Sequence, residues 1–155
     1  MRRPPRCRLV TIGYQAATVD SFLRALRDGG VGLLVDVRAV ASSRRPGFSK
    51  SRLAATLAEV GIGYVHLRGL GTPAEGRAAA RAGRHARMRA IFLRHLRTHE
   101  AQAELAELVD LVQGERRVCL LCFEANPEHC HRALVGAALA ERLPIDLVHL
   151  QPSDP

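Results

Sequence analysis

A chain of 155 residues accommodates one ordinary domain with a sizeable core and leaves little room for a second. Its composition, 47% hydrophobic and 25% charged, is ordinary for a globular protein, so disorder is not the default reading, and an aromatic content of 4% with no tryptophan leaves the core to Leu, Val, Ile and Ala. The net charge is +8, and of the 23 basic residues only Lys50 is a lysine. Arginine suits bidentate phosphate contacts, so one reading is a polyanion partner and the other an Arg- and Ala-heavy chain with a solvated surface. No apolar run approaches the roughly 20 residues that span a bilayer, and Gly13 with its polar neighbours interrupts Leu9 and Val10 short of signal-peptide length. The expectation is a cytoplasmic protein with no membrane partner. Cys7, Cys119, Cys122 and Cys130 are then reduced thiols or metal ligands.

In chain order, Arg8 to Ile12 is a β-rich run closed by Gly13. Thr18 or Asp20 caps a helix that carries Phe22, Leu23 and Leu26 inward as far as Asp28, where Gly29 and Gly30 stop it. Val31 to Val37 is almost continuously apolar, as a parallel strand buried on both faces should be, and it leaves through Asp36 and Arg38. A polar loop, Ser42 to Phe48, precedes a helix that begins at Ser49 or Ser51 and has Leu53, Leu57 and Val60 on one face. Ile62 to Leu67 reads as a third strand and Arg68 to Pro73 as loop. Ala74 to Gly83 holds Ala, Arg and Gly with hardly any large apolar residue, and is expected to be a mobile flap. Helices are expected over Met88–Thr98 and over 100–113, a fourth strand over Arg117–Phe123, a helix over His129–Arg142 and a fifth strand over Ile145–Leu150. The alternation predicts a three-layer α/β/α sandwich around a mostly parallel, Rossmann-like sheet of about five strands. It occupies residues 8–150 as one domain, with flexible ends at 1–7 and 151–155.

In an open parallel sheet the binding crevice lies beyond the carboxyl ends of the strands. The residues that leave them here are Gly13 and Tyr14, Asp36 and Arg38, His66, and Cys122 with Glu124. The densest constellation runs from Cys122 through Glu124 and Pro127 to His129, Cys130, His131 and Arg132, where a strand hands over to a helix. A helix start attracts anions and lowers the pKa of a nearby thiol, which makes Cys130 a candidate thiolate and Arg132 a candidate anion clamp. The opposing reading has Arg132 turned inward as a clasp between strand and helix. Cys119 and Cys122 are alternatively buried strand residues, and Cys130 a packing residue under the helix.

These motifs carry a resemblance. Strand, Cys122-x-Glu124, a Pro-containing loop and Cys130-His131-Arg132 resemble the signature of a prokaryotic group, the domain of unknown function family DUF488. Thr11-Ile12-Gly13, Asp36-Val37-Arg38, Arg44-Arg45, Phe48 and Tyr64-Val65-His66-Leu67 match it too, over about residues 9 to 150. The family pattern commonly has His where this chain has Tyr14. The resemblance implies a three-layer α/β domain with its shared polar residues at one sheet edge, and it implies no particular reaction.

Three chemistries compete. The first is a hydrolase or transferase acting on a phosphorylated or otherwise anionic small molecule. Cys122 or Cys130 is its nucleophile, Glu124, Asp36, His66 or His131 moves protons, and Arg38, Arg44, Arg45, His131 and Arg132 bind the anion. The phosphatase arrangement of Cys followed six positions later by Arg is excluded, since those positions hold Glu128 and Gly136. The second is a metal site of Cys122, Cys130 and one of His66, His129 or His131, with no zinc-finger spacing and with Cys119 and Cys122 diverging in a strand. The third is nucleic-acid binding along Arg77, Arg81, Arg84, Arg87, Arg89, Arg94 and Arg97, a strip that could equally be a solvated helix face paired with Glu100, Glu104, Glu107 and Asp110. No cofactor is specified by the sequence, and a homo-oligomer is compatible with it.

Overall fold

The computed structural model describes residues 6–152. Five parallel strands form one sheet in the order β3-β2-β4-β1-β5. They are β1 (Cys7–Gly13), β2 (Leu33–Asp36), β3 (Gly63–His66), β4 (Val118–Cys122) and β5 (Ile145–Leu150). Six α-helices accompany them: α1 (Val19–Asp28), α2 (Lys50–Glu59), α3 (Ala74–Arg81), α4 (His85–Leu96), α5 (His99–Val112) and α6 (His131–Ala140). The expected α/β/α sandwich is the observed one. Of the flexible ends expected at 1–7 and 151–155, residues 1–5 and 153–155 lie outside the described residues, and Cys7 already belongs to β1.

Alternation of side chains across the sheet sorts the core into two layers. Val10, Ile12, Leu34, Cys119 and Leu121 face α1 and α2, where Phe22, Leu26, Leu53 and Leu57 meet them. Leu9, Leu33, Val35, Val118 and Leu120 face the other way, toward Phe92, Leu105, Leu108, Val135 and Leu139 of α4, α5 and α6. Cys119 and Cys122 therefore point to opposite faces, as their spacing in a strand requires. All five residues of β4 are buried, as befits the middle of a five-stranded parallel sheet.

Local signals set the boundaries. Thr18 caps α1 by accepting from Ser21 N at 3.0 Å, and Ser21 answers with its hydroxyl to Thr18 N, a reciprocal capping box. Thr98 caps α5 by accepting from Ala101 N, without the reciprocal bond.

The stretch expected to lack fixed structure is instead helix α3. Alanine is the best helix former, and small residues let α3 approach α4 closely. Gly76 and Ala79 are buried, and a side chain at Gly76 would collide with Thr72 and press on Ile91. Few large apolar side chains were needed because backbone proximity supplies the contact.

At the carboxyl edge the strand ends are level. Gly13 pairs with Cys122, Asp36 with Leu121 and with His66, so the exits of β1, β4, β2 and β3 stand side by side. Gly13 is irreplaceable for a reason of space: a Cβ there would lie 1.8 Å from the carbonyl oxygen of Glu124 and 3.1 Å from the Arg132 guanidinium. Gly13→Ala is expected to cost about 1–3 kcal/mol, as overpacking does. Thermal and denaturant unfolding check this, with an unchanged midpoint as the contrary result.

Candidate functional site

Beyond β4 the chain turns through Asn126, whose side chain accepts from Glu128 N at 3.0 Å, makes one 3-10 turn over Pro127–His129, and enters α6 with Cys130 as its N-cap. A cysteine occupies the cap position usually held by Ser, Thr or Asp. Its Sγ accepts from Arg132 N at 3.5 Å. The same turn brings Cys122, Cys130 and His131 together, their Sγ, Sγ and Nδ1 atoms all within 4.8 Å of one another. His131 Nδ1 is 3.5 Å from Cys122 Sγ and 3.8 Å from Cys130 Sγ, and Cys122 Sγ is 3.5 Å from Glu124 Oε2. All three cluster residues are buried, and both cysteines are free thiols.

The imidazole orientation is fixed from behind. His131 Nε2 lies 2.7 Å from the carbonyl oxygen of Val37, which only accepts, so Nε2 carries a hydrogen and Nδ1 faces the two sulfurs. The ring also packs on Phe92 of α4, centroid to centroid 5.2 Å.

Crowding at the cluster splits its acidities. The hydrogen bond with Cys130, then burial, pushes the Cys122 thiol well up. Burial alone would raise Cys130, but the hydrogen bond from Cys122 and then the His131 and Arg132 charges bring it well below the usual thiol range. Burial opposes charge on His131 and is outweighed by the Cys130 thiolate, so its pKa rises. Glu124 is pushed up to about 7, by burial first and the Cys130 charge second.

The arginines singled out from the sequence divide sharply. Arg132 is completely buried. It donates through Nε to Thr11 Oγ1 at 3.1 Å, through Nη1 to the Glu124 carbonyl and through Nη2 to the Ala125 carbonyl at 3.3 Å. This is the geometry of the inward clasp, with each guanidinium nitrogen bonded to an oxygen of the chain itself. Arg38 pairs with Asp36 in a buried bidentate bridge of 2.9 and 2.7 Å and gives Nη1 to Phe48 O at 2.7 Å and to Tyr14 Oη at 3.2 Å. Asp36 also accepts from Tyr64 Oη; burial, then that bond, pushes the Tyr64 phenol up. Both Asp36 carboxylate oxygens are thus engaged, by Arg38 and Tyr64. Arg45 donates to Ala17 O, and Arg44 is exposed on the loop before α2. His66 contacts Arg38 O through Nε2 at 2.7 Å and stands apart from the cysteines.

A cleft of about 270 Å³ opens over the cluster. Cys122, Glu124 and His131 line it, whereas Cys130 does not. Its remaining walls include Tyr14, Val40 and Phe123 at the strand exits, and Arg77, Arg81 and Met88 from α3 and α4. His129 at its rim stacks on His85 with centroids 4.0 Å apart and planes 3° from parallel. Sequence reasoning missed Arg77 and Arg81 as cleft residues because it assigned no fixed structure to α3, and Met88 because its helix was read only as packing. The i, i+4 spacing of the two arginines was the signal that a helical reading would have used.

These features define an α/β protein with a buried Cys–Cys–His cluster under a cleft at the carboxyl edge of its sheet. The family model for the domain of unknown function DUF488 matches residues 18–139, and the chain belongs to that family. The match takes in β2, β4 and most of α6, while Thr11-Ile12-Gly13 and β5 fall outside the matched residues. No curated protein and no solved structure matches the chain. No helix among the described residues is long and apolar enough to cross a membrane.

Arg132→Lys keeps the charge and loses the fork, so it should destabilise the protein by about 1–3 kcal/mol, the cost of breaking a charged buried hydrogen bond. Thermal unfolding of the purified variant measures it, and an unchanged melting temperature would refute the clasp.

Proposed function

We propose that this protein is a metalloprotein whose Cys122, Cys130 and His131 bind one divalent cation of the zinc or iron class, with an open coordination position facing the cleft. The observation that carries this reading is the spacing of the donors. A tetrahedral cation with sulfur at about 2.3 Å and nitrogen at about 2.0–2.1 Å keeps a sulfur and a nitrogen about 3.6 Å apart. The two sulfur-to-Nδ1 distances of 3.5 and 3.8 Å bracket that value. The hydrogen bond from Nε2 to Val37 O is the outer support that metal-binding imidazoles ordinarily have.

Three protein ligands and an exchangeable fourth position are the pattern of catalytic rather than structural zinc. Glu124 is outside the set of mutually close donors but touches Cys122 and lines the cleft, where it is the carboxylate available to take a proton from a water or substrate in that position. The activity most consistent with this arrangement is metal-assisted hydrolysis or group transfer on a small molecule. A free-thiol nucleophile is disfavoured by access. Cys130, the more acidic thiol, is 2% exposed and absent from the cleft wall, while Cys122, which faces the cleft, is the thiol whose pKa is pushed up.

Protein purified without chelators, or reconstituted with Zn²⁺ or Co²⁺, should carry one cation per chain. Cys122→Ser and Cys130→Ser should each reduce affinity by about tenfold or more, and the Co²⁺ form should show thiolate-to-cobalt absorption that both variants lose. A folded parent that binds neither ion would overturn the reading.

A further inference from the structure

The cleft carries positive charge that the cluster beneath it does not use. Among the described residues the ion pairs are Arg38–Asp36 and Arg6–Asp146, so Arg77 and Arg81 on the cleft wall have no acidic partner. They sit one turn apart on α3, which puts both on one helix face. Arg77 is held in place by donation from Nη1 to Thr72 O at 2.9 Å, which fixes its guanidinium and leaves its other donors to a ligand. Arg38 reaches the same cleft but is neutralised by Asp36 and bonded to Phe48 and Tyr14. The free cations of the cleft are therefore the two on α3.

The opposite requirement is met by the other walls. Val40 is 52% and Phe123 40% exposed, two of the few large apolar side chains left open to solvent, and both line this cleft. Phe123 meets Tyr14 edge to face, at 5.3 Å between centroids, and Tyr14 is stacked on Phe48 at 4.6 Å. These contacts make a rigid apolar wall. The volume of about 270 Å³ lies just below the roughly 300–1,000 Å³ of pockets that take drug-sized molecules.

We infer that the cleft seats a small organic anion with an apolar body. Its carboxylate or phosphate is held by Arg77 and Arg81, its body lies against Val40, Phe123 and Met88, and its reacting end points at the cluster. This deepens the reading of the cleft as the open side of the metal centre and rests on it for the reaction, not for the binding. Paired guanidinium forks match the planar or tetrahedral oxygens of such an anion. The seat differs from the one that the Cys-His-Arg motif suggests, since Arg132 spends its side-chain donors on backbone carbonyls and Thr11.

The test uses the full chain reconstituted with Zn²⁺, and titration calorimetry with phenyl phosphate, benzoate and benzyl alcohol as probes. The two anions should bind and the neutral alcohol should not, with the tighter anion marking the phosphate or carboxylate class. Arg81→Gln alone, and Arg77→Gln with Arg81→Gln, should weaken the better anion by about tenfold or more. Cation content and the circular dichroism spectrum should stay unchanged. Arg81 is exposed, so its single variant remains informative if loss of the Arg77 to Thr72 bond unfolds the double one. Equal affinity of the parent and Arg81→Gln for both anions, or binding of benzyl alcohol as tight as that of the anions, overturns the seat. Cation content is read separately. Anion binding that depends on the arginines in a chain unable to hold a cation would overturn the metal centre and leave the seat standing.

Discussion

A single buried cation organises the carboxyl edge of the sheet. Arg132 is fully enclosed and reaches Thr11 on β1 and the carbonyls of Glu124 and Ala125 in the loop after β4, from its own position in the first turn of α6. Three chain segments are thereby set against one another, and Gly13 is small because that junction leaves no room for a Cβ. No carboxylate pairs with Arg132 among the described residues, and an uncompensated charge in such a place costs several kcal/mol. Compensation comes from the cluster. The Cys130 thiol, held well below its usual range in part by Arg132, is the nearby group that offsets this charge.

The buried Asp36–Arg38 pair does a different job. Asp36 and Arg38 lock the exit of β2 against Phe48, Tyr14 and Tyr64, which fixes the backbone on which Val37 offers its carbonyl to His131. The bridge thus reaches the cleft wall through Arg38 and also decides where His131 Nδ1 points. Breaking it by removing one partner would strand a buried charge and loosen the imidazole together.

Much of the architecture was legible because its signals are local or periodic. The buried apolar run before Asp36, the Gly13 stop, the Thr18 cap and the alternation of strands with helices all translate directly into elements. The convergence of Cys122, Glu124, Cys130 and His131 followed from topology, since strand exits gather at one edge of a parallel sheet. Side-chain direction was not legible. Whether Arg132 faces a ligand or the interior depends on the position of the Glu124 carbonyl, and sequence spacing does not encode it. Helix α3 was missed for a related reason: its burial comes from Gly76 and Ala79 against α4, and small residues leave no hydrophobic pattern. Its arginines were therefore read as part of a surface strip that ran on to Arg97, although Arg77 and Arg81 belong to the cleft.

The most direct test of the account is X-ray absorption at the metal edge of the zinc- or cobalt-loaded protein. Cys122, Cys130 and His131 as ligands predict two sulfur scatterers at about 2.3 Å and one imidazole nitrogen at about 2.0 Å, with the fourth scatterer a light atom. A first shell of nitrogen and oxygen alone, with no sulfur, would contradict it.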